Sequence, residues 1–423
     1  MLLTYRLIIN ILFPLIIILI FLRSWIKKED KNRFKEKLFS SCFNARKNYK
    51  KKLVWFHAAS IGEFKSIVPL IKKMNEKNEF EFLITTVTLS SSQIILQELF
   101  EQKNIYHRFF PVDKPSLIKS FLGNWSPSLT VFVDSEIWPN FLLEIKKRNI
   151  PLVLLNGRIT KKTYLRWRLV PKVAEKIFQT FDLCLPSSSE SKKYLDQLKV
   201  RNIKYIGNLK LTYESKINNL VIENKKILEN NKFWCAVSIH KKEDVFCLNT
   251  HLKIKESHKN IITIIIPRHI ERVKKIELSC RKLNLKSQIL SSGEKIKPEK
   301  EIIIINSYGV ISNYLSFCKS VFIGKSMSKE LRLVGGQSPV EAAKLGCKIY
   351  HGPYIYNFKE IYELLNKHNI SQQIISENEL AKKISIDLDN KDKANINQID
   401  FINNLGKEIL NNNFNELNKI IVK

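Results

Sequence analysis

Glycine is scarce in this sequence, and its cysteines follow no binding pattern. Only 12 of the 423 residues are glycine, whereas lysine, asparagine and isoleucine are abundant throughout. The seven cysteines are scattered, with no C-x-x-C pair and no histidine cluster beside them. This spacing argues against a zinc site. We therefore expect reduced, buried cysteines, no bound metal and a cytosolic main body.

The sequence also lacks a nucleic-acid-binding pattern, although its charge is strongly positive. Lys and Arg number 71 against 40 Asp and Glu, which gives a formal net charge of +31. Such a charge attracts phospholipids, lipid phosphates or nucleic acids. No stretch interleaves basic with stacking aromatic residues, as nucleic-acid modules do, so we expect no nucleic-acid partner. Solvated lysines, favoured by a compositional bias, are the alternative explanation of the charge.

The N-terminus carries an apolar run that suits a membrane. Residues Leu7 to Leu22 are apolar apart from Asn10, and a basic stretch runs from Arg23 to Lys37. The run is shorter than the ~20 residues that cross a bilayer squarely, although Trp25 and snorkelling lysines extend it. We expect a spanning or interfacial anchor, with the rest of the chain in the cytoplasm by the positive-inside rule. A cleaved signal peptide is the alternative, but no small-x-small cleavage site follows.

Beyond the anchor, short apolar runs alternate with longer amphipathic ones, which is typical of parallel β/α winding. The strands expected in the first half are Leu53 to Ala59, Phe80 to Thr88, Tyr106 to Val112, Leu129 to Val133, Pro151 to Asn156 and Phe181 to Leu185. Those expected in the second half are Phe233 to Ile239, Ile261 to Pro267, Ser287 to Leu290, Glu301 to Asn306, Ser320 to Ile323 and Cys347 to His351. A terminal helix is expected after Lys393.

This order predicts an α/β protein of two doubly wound domains with a cleft between them. We assign residues 1–45 to the anchor and a basic juxtamembrane segment, 46–212 to an N-terminal Rossmann-like domain and 213–423 to a C-terminal one. In such folds, ligands bind beyond the carboxyl ends of the strands.

The loop after the first strand reads Ser60-Ile61-Gly62-Glu63, an S-x-x-E capping box. From the spacing alone, a structural cap is as good an explanation as a catalytic base. His57 and Gly62 favour the second, since a glycine lets a ligand approach and a helix N-terminus can bind an anion. The helix dipole should lower the pKa of Glu63, which keeps it ionised but weakens it as a base.

A second acid cluster reads Asp134-Ser135-Glu136-Ile137-Trp138-Pro139-Asn140. Asp134 and Glu136 would share one face of a continuing strand, and a pair of carboxylates requires a cation. Lys210, in Gly207-Asn208-Leu209-Lys210, is the candidate. The alternative is a loop in which Trp138 packs in the core while the acids are solvated.

Two motifs in the second half suit an anionic ligand. Arg268 ends an apolar strand, where an arginine can bind phosphate bidentately; the start of a surface helix is the alternative. Residues Gly335 to Glu341 combine a flexible loop with Ser338 as N-cap and Pro339 at the first helical position. The glycines alone are weak evidence, since the stretch holds neither G-x-G-x-x-G nor a P-loop.

In this order the motifs resemble those of the 3-deoxy-D-manno-octulosonic acid (Kdo) transferases of Gram-negative bacteria. The resemblance covers about residues 5 to 365 and includes H-A-A-S-I-G-E, D-S-E-I-W-P-N, G-N-L-K, P-R-H, G-G-Q-S-P-V-E-A-A and H-G-P-Y-I-Y-N-F. It implies an inverting, metal-independent GT-B glycosyltransferase that moves Kdo from CMP-Kdo to lipid A precursor (lipid IVA) in lipopolysaccharide core biosynthesis. The implied place is the cytoplasmic face of the inner membrane, and no cofactor is implied beyond the donor.

The resemblance also implies residue roles. Glu63 would be the general base that deprotonates the acceptor hydroxyl, with Ser60 and Gly62 binding the acceptor, while Glu136 and Lys210 would stabilise the transition state. The positions that match the CMP site are Pro267, Arg268, Tyr308, Gly309, Val310, Ser338, Pro339, Val340 and Glu341. A basic rim from Arg33 to Lys52 would hold the acceptor's phosphates; binding of anionic lipid explains that rim equally well.

The sequence departs from the family pattern mainly in its second half. Asp134 stands where glutamate is usual, Val310 where the turn carries an acid, Gln337-Ser338 where His-Asn is usual, and Lys325 interrupts a Gly-Gly pair. Two other functions remain: a GT-B enzyme that uses a UDP-sugar on another membrane acceptor, and a non-catalytic basic membrane-binding protein. The first is not expected to combine S-x-G-E with S-E-I-W-P-N.

Overall fold

The computed structural model describes residues 2–46, 50–89, 91–92, 95, 102–213, 220–390 and 396–422. The chain divides into two compact units. The N-terminal unit comprises Met1–Tyr213 and Gly406–Lys423, and the C-terminal unit comprises Glu214–Leu405. The segment Arg33 to Lys52, expected to be a basic rim, is therefore described apart from residues 47–49.

The N-terminal unit begins with helix α1, Leu2–Trp25, which is long and apolar enough to cross a membrane. Its strands are β1 (Lys52–His57), β2 (Phe80–Thr86), β3 (Ile105–Phe109), β4 (Leu129–Val133), β5 (Leu152–Gly157) and β6 (Leu183–Pro186). Its other helices are α2 (Ile61–Asn75), α3 (Pro115–Trp125), α4 (Pro139–Lys147), α5 (Lys161–Arg168), α6 (Pro171–Phe178) and α7 (Ser189–Gln197). The strands form one parallel sheet in the order β3-β2-β1-β4-β5-β6.

The C-terminal unit repeats this plan with seven parallel strands. They are β7 (Phe233–Ile239), β8 (Ile262–Pro267), β9 (Ser287–Leu290), β10 (Ile302–Ile305), β11 (Ser320–Ile323), β12 (Lys348–His351) and β13 (Ser371–Gln373), in the order β13-β12-β11-β7-β8-β10-β9. The helices are α8 (Ile222–Asn230), α9 (Glu243–Ser257), α10 (Val273–Lys282), α11 (Ile311–Leu315), α12 (Val340–Lys344), α13 (Lys359–Lys367) and α14 (Glu377–Asp389). The predicted α/β architecture of two doubly wound sheets is thus confirmed.

All twelve expected strands are present, with ends that shift by at most three residues. Long apolar runs made them visible: β2, β4, β5 and β6 are buried along their whole length, as strands covered on both faces must be. Strand β13 was not expected, because three residues with two exposed glutamines leave no apolar run. The cysteines are free, and all except the half-buried Cys42 are buried.

The last helix, α15 (Ile396–Val422), belongs to the C-terminal unit up to residue 405 and to the N-terminal unit from residue 406. Its later part packs on the N-terminal unit. Ile409 lies against Gly207, and the backbone carbonyl of Ile421 accepts a hydrogen bond from Lys52 Nζ at 2.5 Å. The division therefore differs from the expected one, which left the whole tail in the second domain. An amphipathic sequence reveals a helix but not the surface that covers it.

In each sheet the order of the strands reverses beside the first strand. The chain runs outward from β1 to β3 and returns to place β4 next to β1; likewise β11 returns next to β7. The carboxyl ends of such neighbouring strands are where open α/β sheets bind ligands. Loops after β1 and β4, and loops after β7, β8 and β11, are therefore the places to search for a site.

Candidate active site

Glu63 lies in the first turn of α2, just beyond the carboxyl end of β1. Its Oε2 accepts hydrogen bonds from the backbone N–H groups of Ala59 (2.7 Å) and Ser60 (3.3 Å), and its Oε1 accepts from Ser60 Oγ (2.9 Å). Ser60 Oγ in turn accepts from the Glu63 N–H at 3.3 Å. The predicted capping box is confirmed, and it fixes the position of the carboxylate.

The acidity of Glu63 is set by its surroundings. Burial, together with the charges of Asp134 and Glu136, raises the pKa of Glu63 to about 7, although the hydrogen bonds from Ser60 and Ala59 lower it in part. The expected lowering by the helix dipole was wrong, because desolvation and two neighbouring acids outweigh it. A carboxyl group with a pKa near 7 is well matched to act as a base at neutral pH.

Asp134 does not continue strand β4, as the two-residue spacing suggested. It follows Val133 in the left-handed conformation, with φ 62°, while its N–H donates to the Leu155 carbonyl at 3.0 Å. Because of this turn, the prediction that Asp134 and Glu136 lie on one face of a continuing strand is wrong. Asp134 Oδ2 instead lies 3.4 Å from Lys210 Nζ, so the expected cation is next to this acid.

Glu136 is held by two ring N–H groups. Its Oε2 accepts from Trp138 Nε1 at 2.7 Å and bonds His57 Nε2 at 3.2 Å. Burial alone would raise the pKa of Glu136, but the bonds from His57 and Trp138 prevail and lower it. Trp138 does pack against the core, yet the acids are not solvated as the alternative required: Asp134 is 6% exposed and the Glu136 side chain 15%.

His57 belongs to a buried chain of hydrogen bonds that runs from Trp55 through Thr85 to Glu136. Trp55 Nε1 donates to Thr85 Oγ1 at 2.9 Å, because an indole N–H can only donate. His57 Nδ1 lies 3.0 Å from the Thr85 hydroxyl and 3.2 Å from the Thr85 carbonyl, which also accepts from the Ala58 N–H. Because an ionised carboxylate only accepts, His57 Nε2–H donates to Glu136.

Sequence reasoning noted His57 only as a neighbour of Glu63, and it missed Thr85. Trp55 and His57 alternate along β1, and the parallel register places Thr85 of β2 opposite His57. All three side chains are fully buried, and the His57 ring stacks on Phe110 with centroids 3.7 Å apart. The sequence of a single strand cannot predict this contact, because it depends on the register between β1 and β2.

Gly62, expected to admit the acceptor, is exposed in the first turn of α2. A Cβ atom built there meets no atom within 4 Å. The protein itself therefore does not require glycine at this position, which leaves the space above the turn of Ser60 and Glu63 open for a ligand.

The C-terminal unit gathers positive charge at the carboxyl ends of its central strands. His240 follows β7, Arg268 follows β8, and Lys325 follows β11 with φ 59°. Burial, together with the charges of Lys325, His269 and Arg268, lowers the pKa of His240 to about 4. His240 Nε2 is buried and has no hydrogen-bond partner in the part of the chain that the structure describes. This arrangement suits a phosphate.

Glu243 holds the loops after β7 and β11 in position. This residue was not identified from the sequence. Its carboxylate accepts from the backbone N–H groups of His240 (2.9 Å), Lys325 (2.7 Å), Ser326 (2.8 Å) and Met327 (3.0 Å), and it is 1% exposed. One buried carboxylate thereby ties the loop after β7 to the loop after β11. A signal was present: an acid three residues after His240, at the end of a buried strand.

The remaining residues matched to a CMP site also lie beyond the carboxyl ends of the second sheet. Tyr308 is 61% exposed, and Gly309, with φ 79°, forms the turn after β10 that ends at Val310. Pro267 is the buried last residue of β8.

The expected cap of helix α12 was wrong. Pro339, not Ser338, takes the N-cap position, Val340 begins the helix, and no side chain caps it. The reason lies in the preceding loop. Gly336, with φ 86°, donates its N–H to the Lys325 carbonyl at 2.7 Å, and Tyr362 Oη donates to the Gln337 carbonyl at 3.0 Å. These bonds turn the chain so that Ser338 is exposed, while Glu341 is partly buried in the first turn.

Metal binding has no obvious place among the described residues. Within the ranges given above, no group of three or more His, Cys, Asp or Glu side chains is arranged to hold a metal ion. The positive charges that the structure does supply for an anion are those of lysine and arginine side chains.

Comparison with known proteins gives consistent results. A family model for 3-deoxy-D-manno-octulosonic-acid transferase (Kdo transferase) matches residues 32–213. The chain is 30% identical over 348 residues to the probable mitochondrial 3-deoxy-D-manno-octulosonic acid transferase of Arabidopsis thaliana, covering 79% of this chain and 76% of the relative. It is 28% identical to the 3-deoxy-D-manno-octulosonic acid transferase of Rickettsia bellii, covering 90% and 89%.

Solved structures support the fold alone. A glycosyltransferase from Rickettsia africae is similar with a TM-score of 0.59 at 14% identity, covering 89% of this chain and all of that one. The UDP-GlcNAc 2-epimerase of Neisseria meningitidis gives a TM-score of 0.54 at 12% identity, covering 88% and 99%. With two Rossmann-like units and a relative that shares 30% identity over three quarters of its length, the chain belongs to the Kdo transferase family of GT-B glycosyltransferases.

Proposed function

We propose that this protein transfers Kdo from CMP-Kdo to the lipid A precursor, with inversion at the anomeric carbon and without a metal ion, in lipopolysaccharide synthesis. The acceptor's hydroxyl oxygen forms the new bond to the Kdo anomeric carbon. The bond from that carbon to the phosphate oxygen of CMP breaks, and CMP leaves with the electron pair. Glu63 takes the proton of the hydroxyl. A single displacement of this kind inverts the anomeric centre.

One observation carries the proposal: the environments of Glu63 and Glu136 shift the pKa values of the two carboxyl groups in opposite directions. Burial raises the pKa of Glu63 to about 7, whereas the bonds from His57 and Trp138 lower the pKa of Glu136. Two nearby carboxyl groups with separated pKa values have separate roles. Glu63 is the one that gains a proton readily, so it acts as the base, while Glu136 stays anionic and can stabilise positive charge on the sugar ring.

Lys210 completes the first set of charges. Its Nζ is 3.4 Å from Asp134 Oδ2, and its side chain is 24% exposed. An ammonium group in this position limits the mutual repulsion of Asp134 and its acidic neighbours. It is also able to stabilise the negative charge that develops on a leaving phosphate.

The C-terminal unit supplies a charge set that suits CMP. Departure of CMP adds negative charge to a phosphate, and Arg268 and Lys325 concentrate positive charge at the switch point of the second sheet, where the neutral His240 can donate a hydrogen bond. Such preorganised donors stabilise a leaving group without a metal ion. Ser338, being exposed and not a cap, offers a hydroxyl rather than a helix end, and Val310 offers only its backbone.

The membrane association of this family supports the proposed acceptor and location. A lipid A precursor carries phosphates and acyl chains, which suit the exposed lysines that follow α1 and the apolar helix itself respectively. In the expected basic rim, Arg33, Lys37 and Arg46 are instead paired with glutamates. The exposed lysines that follow α1 suit the anionic cytoplasmic leaflet of the inner membrane, and we assign the catalytic units to that side. No nucleic-acid partner is part of this proposal.

A donor screen tests the proposal. The purified full chain, incubated with lipid A precursor, should consume CMP-Kdo and release CMP without added divalent cation and in the presence of a chelator. Mass spectrometry gives the number of Kdo units in the product, and NMR gives the anomeric configuration. Turnover with UDP-sugars but not with CMP-Kdo would establish the alternative donor, and loss of turnover with the chelator would disprove the metal-independent route.

A further inference from the structure

Helix α1 has two different faces, and one of them is uncovered. Exposed apolar side chains recur along it at helical spacing, among them Leu7, Ile11, Leu15, Ile18 and Leu22. These positions fall on one side, since residues three or four apart lie above one another. Contiguous apolar surface of this extent is rare on soluble monomers and marks a binding face.

The opposite face packs along the N-terminal unit. Phe13 contacts both the main core of that unit and a smaller cluster in which Ile20 packs with Phe34 and Leu38. Phe21 meets Phe34 edge to face, with ring centroids 4.8 Å apart. The helix is therefore laid against the unit over much of its length rather than projecting from it.

The first turns of α1 are tied to the unit by polar bonds. Tyr5 Oη donates to Asp113 Oδ2 at 2.8 Å, and Arg6 Nε donates to Asn140 Oδ1 at 3.0 Å. Asp113 and Asn140 are each 2% exposed. Asp113 also accepts the N–H groups at the start of α4, so this attachment is part of the fold of the catalytic unit.

The last turn of α1 is tied to the same unit. Arg23 Nε lies 2.8 Å from Glu29 Oε1, and Glu29 Oε2 lies 2.5 Å from Lys37 Nζ. Lys37 Nζ also donates to the Val87 carbonyl at 2.7 Å, just beyond β2. Both ends of the helix are therefore attached to one folded body.

The distance between the two attachments rules out a crossing. Tyr5 and Arg23 are separated by about 27 Å along an α-helix axis, which approaches the ~30 Å thickness of the hydrocarbon core of a bilayer. If α1 crossed the membrane, these two attachments would lie on opposite sides of it. A single folded unit with buried polar contacts at both points cannot occupy both sides.

We propose that α1 does not span the membrane but lies in the interface of an anionic bilayer, with its uncovered apolar face in the lipid and both of its ends on the side of the catalytic units. Exposed Lys27, Lys28 and Lys31 follow Trp25 directly, and they complement anionic headgroups. This inference rests on the membrane location in the proposed function but not on the donor or the reaction, so the two can fail separately.

A depth profile tests the orientation. In the full chain carrying Cys42→Ser, single cysteines replace Leu7, Leu15 or Leu22 and receive a nitroxide label, and the protein binds vesicles of phosphatidylethanolamine and phosphatidylglycerol. Collisions with oxygen and with a water-soluble nickel complex report the depth of each label. An interfacial helix gives three similar, shallow depths. A profile that is deepest at Leu15 and shallow at Leu7 and Leu22 would overturn the proposal in favour of a spanning helix.

Two further measurements complete the test. Lys119→Cys, at an exposed position of α3 in the same unit, must report water in all samples. Binding should weaken at least tenfold on neutral phosphatidylcholine vesicles; equal binding would refute the anionic surface. If the chain forms a dimer that hides the labels from both oxygen and nickel and does not bind vesicles, the uncovered face serves a second copy, and the proposal is wrong.

Discussion

His57 Nε2 lies 3.2 Å from Glu136 Oε2, and this contact is the last of a buried series that begins at Trp55 and passes through Thr85. An indole only donates and an ionised carboxylate only accepts, so the first and last bonds of the series each have one direction, and His57 carries a proton on Nε2. The imidazole holds Glu136 by donating to it, in the same way that second partners orient metal-bound histidines. His57 is thus a positioning residue for an acid beside the proposed base.

Thr85→Val tests this series. The change removes the hydroxyl that lies 3.0 Å from His57 Nδ1 and accepts from Trp55 Nε1, so the imidazole that donates to Glu136 is held less firmly in place. We expect kcat to fall about tenfold, which corresponds to roughly 1.4 kcal/mol, with KM for the donor little changed. Thr86→Val is the matched control: its hydroxyl bonds His107 at 2.9 Å on the same buried strand, so it should lose similar stability and keep kcat. Equal losses of kcat in both variants would show that Thr85 contributes to stability only and does not position His57.

Glu63→Gln tests the base. An amide keeps the size of the carboxyl group and its acceptor for the Ala59 N–H, but it cannot take a proton at neutral pH. We expect kcat to fall by about 10²–10⁴, the usual range for a general base, while the affinity for CMP is unchanged. Glu76→Gln, at the exposed far end of α2, should be fully active. Full Kdo transfer by Glu63→Gln would exclude Glu63 as the base even if the family reaction stands.

The same substitution should stabilise the protein above neutral pH. Burial raises the pKa of Glu63 to about 7 from a usual 4.5, so the folded state holds its proton more tightly than the unfolded state. Stability contributed by this group is therefore present below about pH 4.5 and is lost as the pH rises to about 7. Glutamine has no such dependence. The free energy of unfolding of Glu63→Gln, measured by denaturant titration, should exceed that of the parent by a margin that grows over this window, up to about 3 kcal/mol. A constant margin from pH 4 to 8 would contradict the raised pKa.

The fold was readable from the sequence because its signal is local. Apolar runs such as Leu129 to Val133 are buried on both faces of a parallel sheet, and each appears as a continuous stretch. The capping box at Ser60 and Glu63 was equally visible, since its two partners are three residues apart. In contrast, Thr85 reaches His57 only through the register of β1 and β2, and Glu243 binds N–H groups some 80 residues later. No local pattern encodes those contacts.

The direction of the pKa shift of Glu63 could not be predicted from the sequence either. The position of Glu63 at a helix start favours a lowered pKa, and only the burial of the site and the approach of Asp134 and Glu136 reverse this. The cap expected at Ser338 failed for a related reason. The path of the loop depends on Gly336 bonding to Lys325 and on Tyr362 bonding to Gln337, which are partners from different elements.

Gly62→Ala tests whether the acceptor approaches the start of α2. A methyl group there meets no protein atom, and alanine favours a helix more than glycine by about 1 kcal/mol, so the variant should fold at least as well as the parent. We expect the KM for the lipid acceptor to rise severalfold with the KM for CMP-Kdo unchanged. Gly123→Ala in α3 is the matched control, because its Cβ is equally unobstructed; it should leave both constants alone. An unchanged acceptor KM in Gly62→Ala would place the acceptor elsewhere.

Binding of CMP should be coupled to proton uptake by His240. In the free protein, burial and the charges of Lys325, His269 and Arg268 lower the pKa of His240 to about 4. A bound phosphate neutralises those charges and raises the pKa of His240, so a proton is taken up when CMP binds in the pH range just above 4. Calorimetry of CMP binding in buffers of different ionisation enthalpy measures that proton directly.

Lys325→Met should weaken CMP binding at least tenfold and reduce the proton uptake, because one of the charges that lower the pKa of His240 is gone before CMP binds. Lys348→Met, at the amino end of β12, removes a lysine from the opposite edge of the sheet and should change neither quantity. If CMP binds without proton uptake and both lysine variants bind it equally, the basic cluster after β7, β8 and β11 does not hold the phosphate.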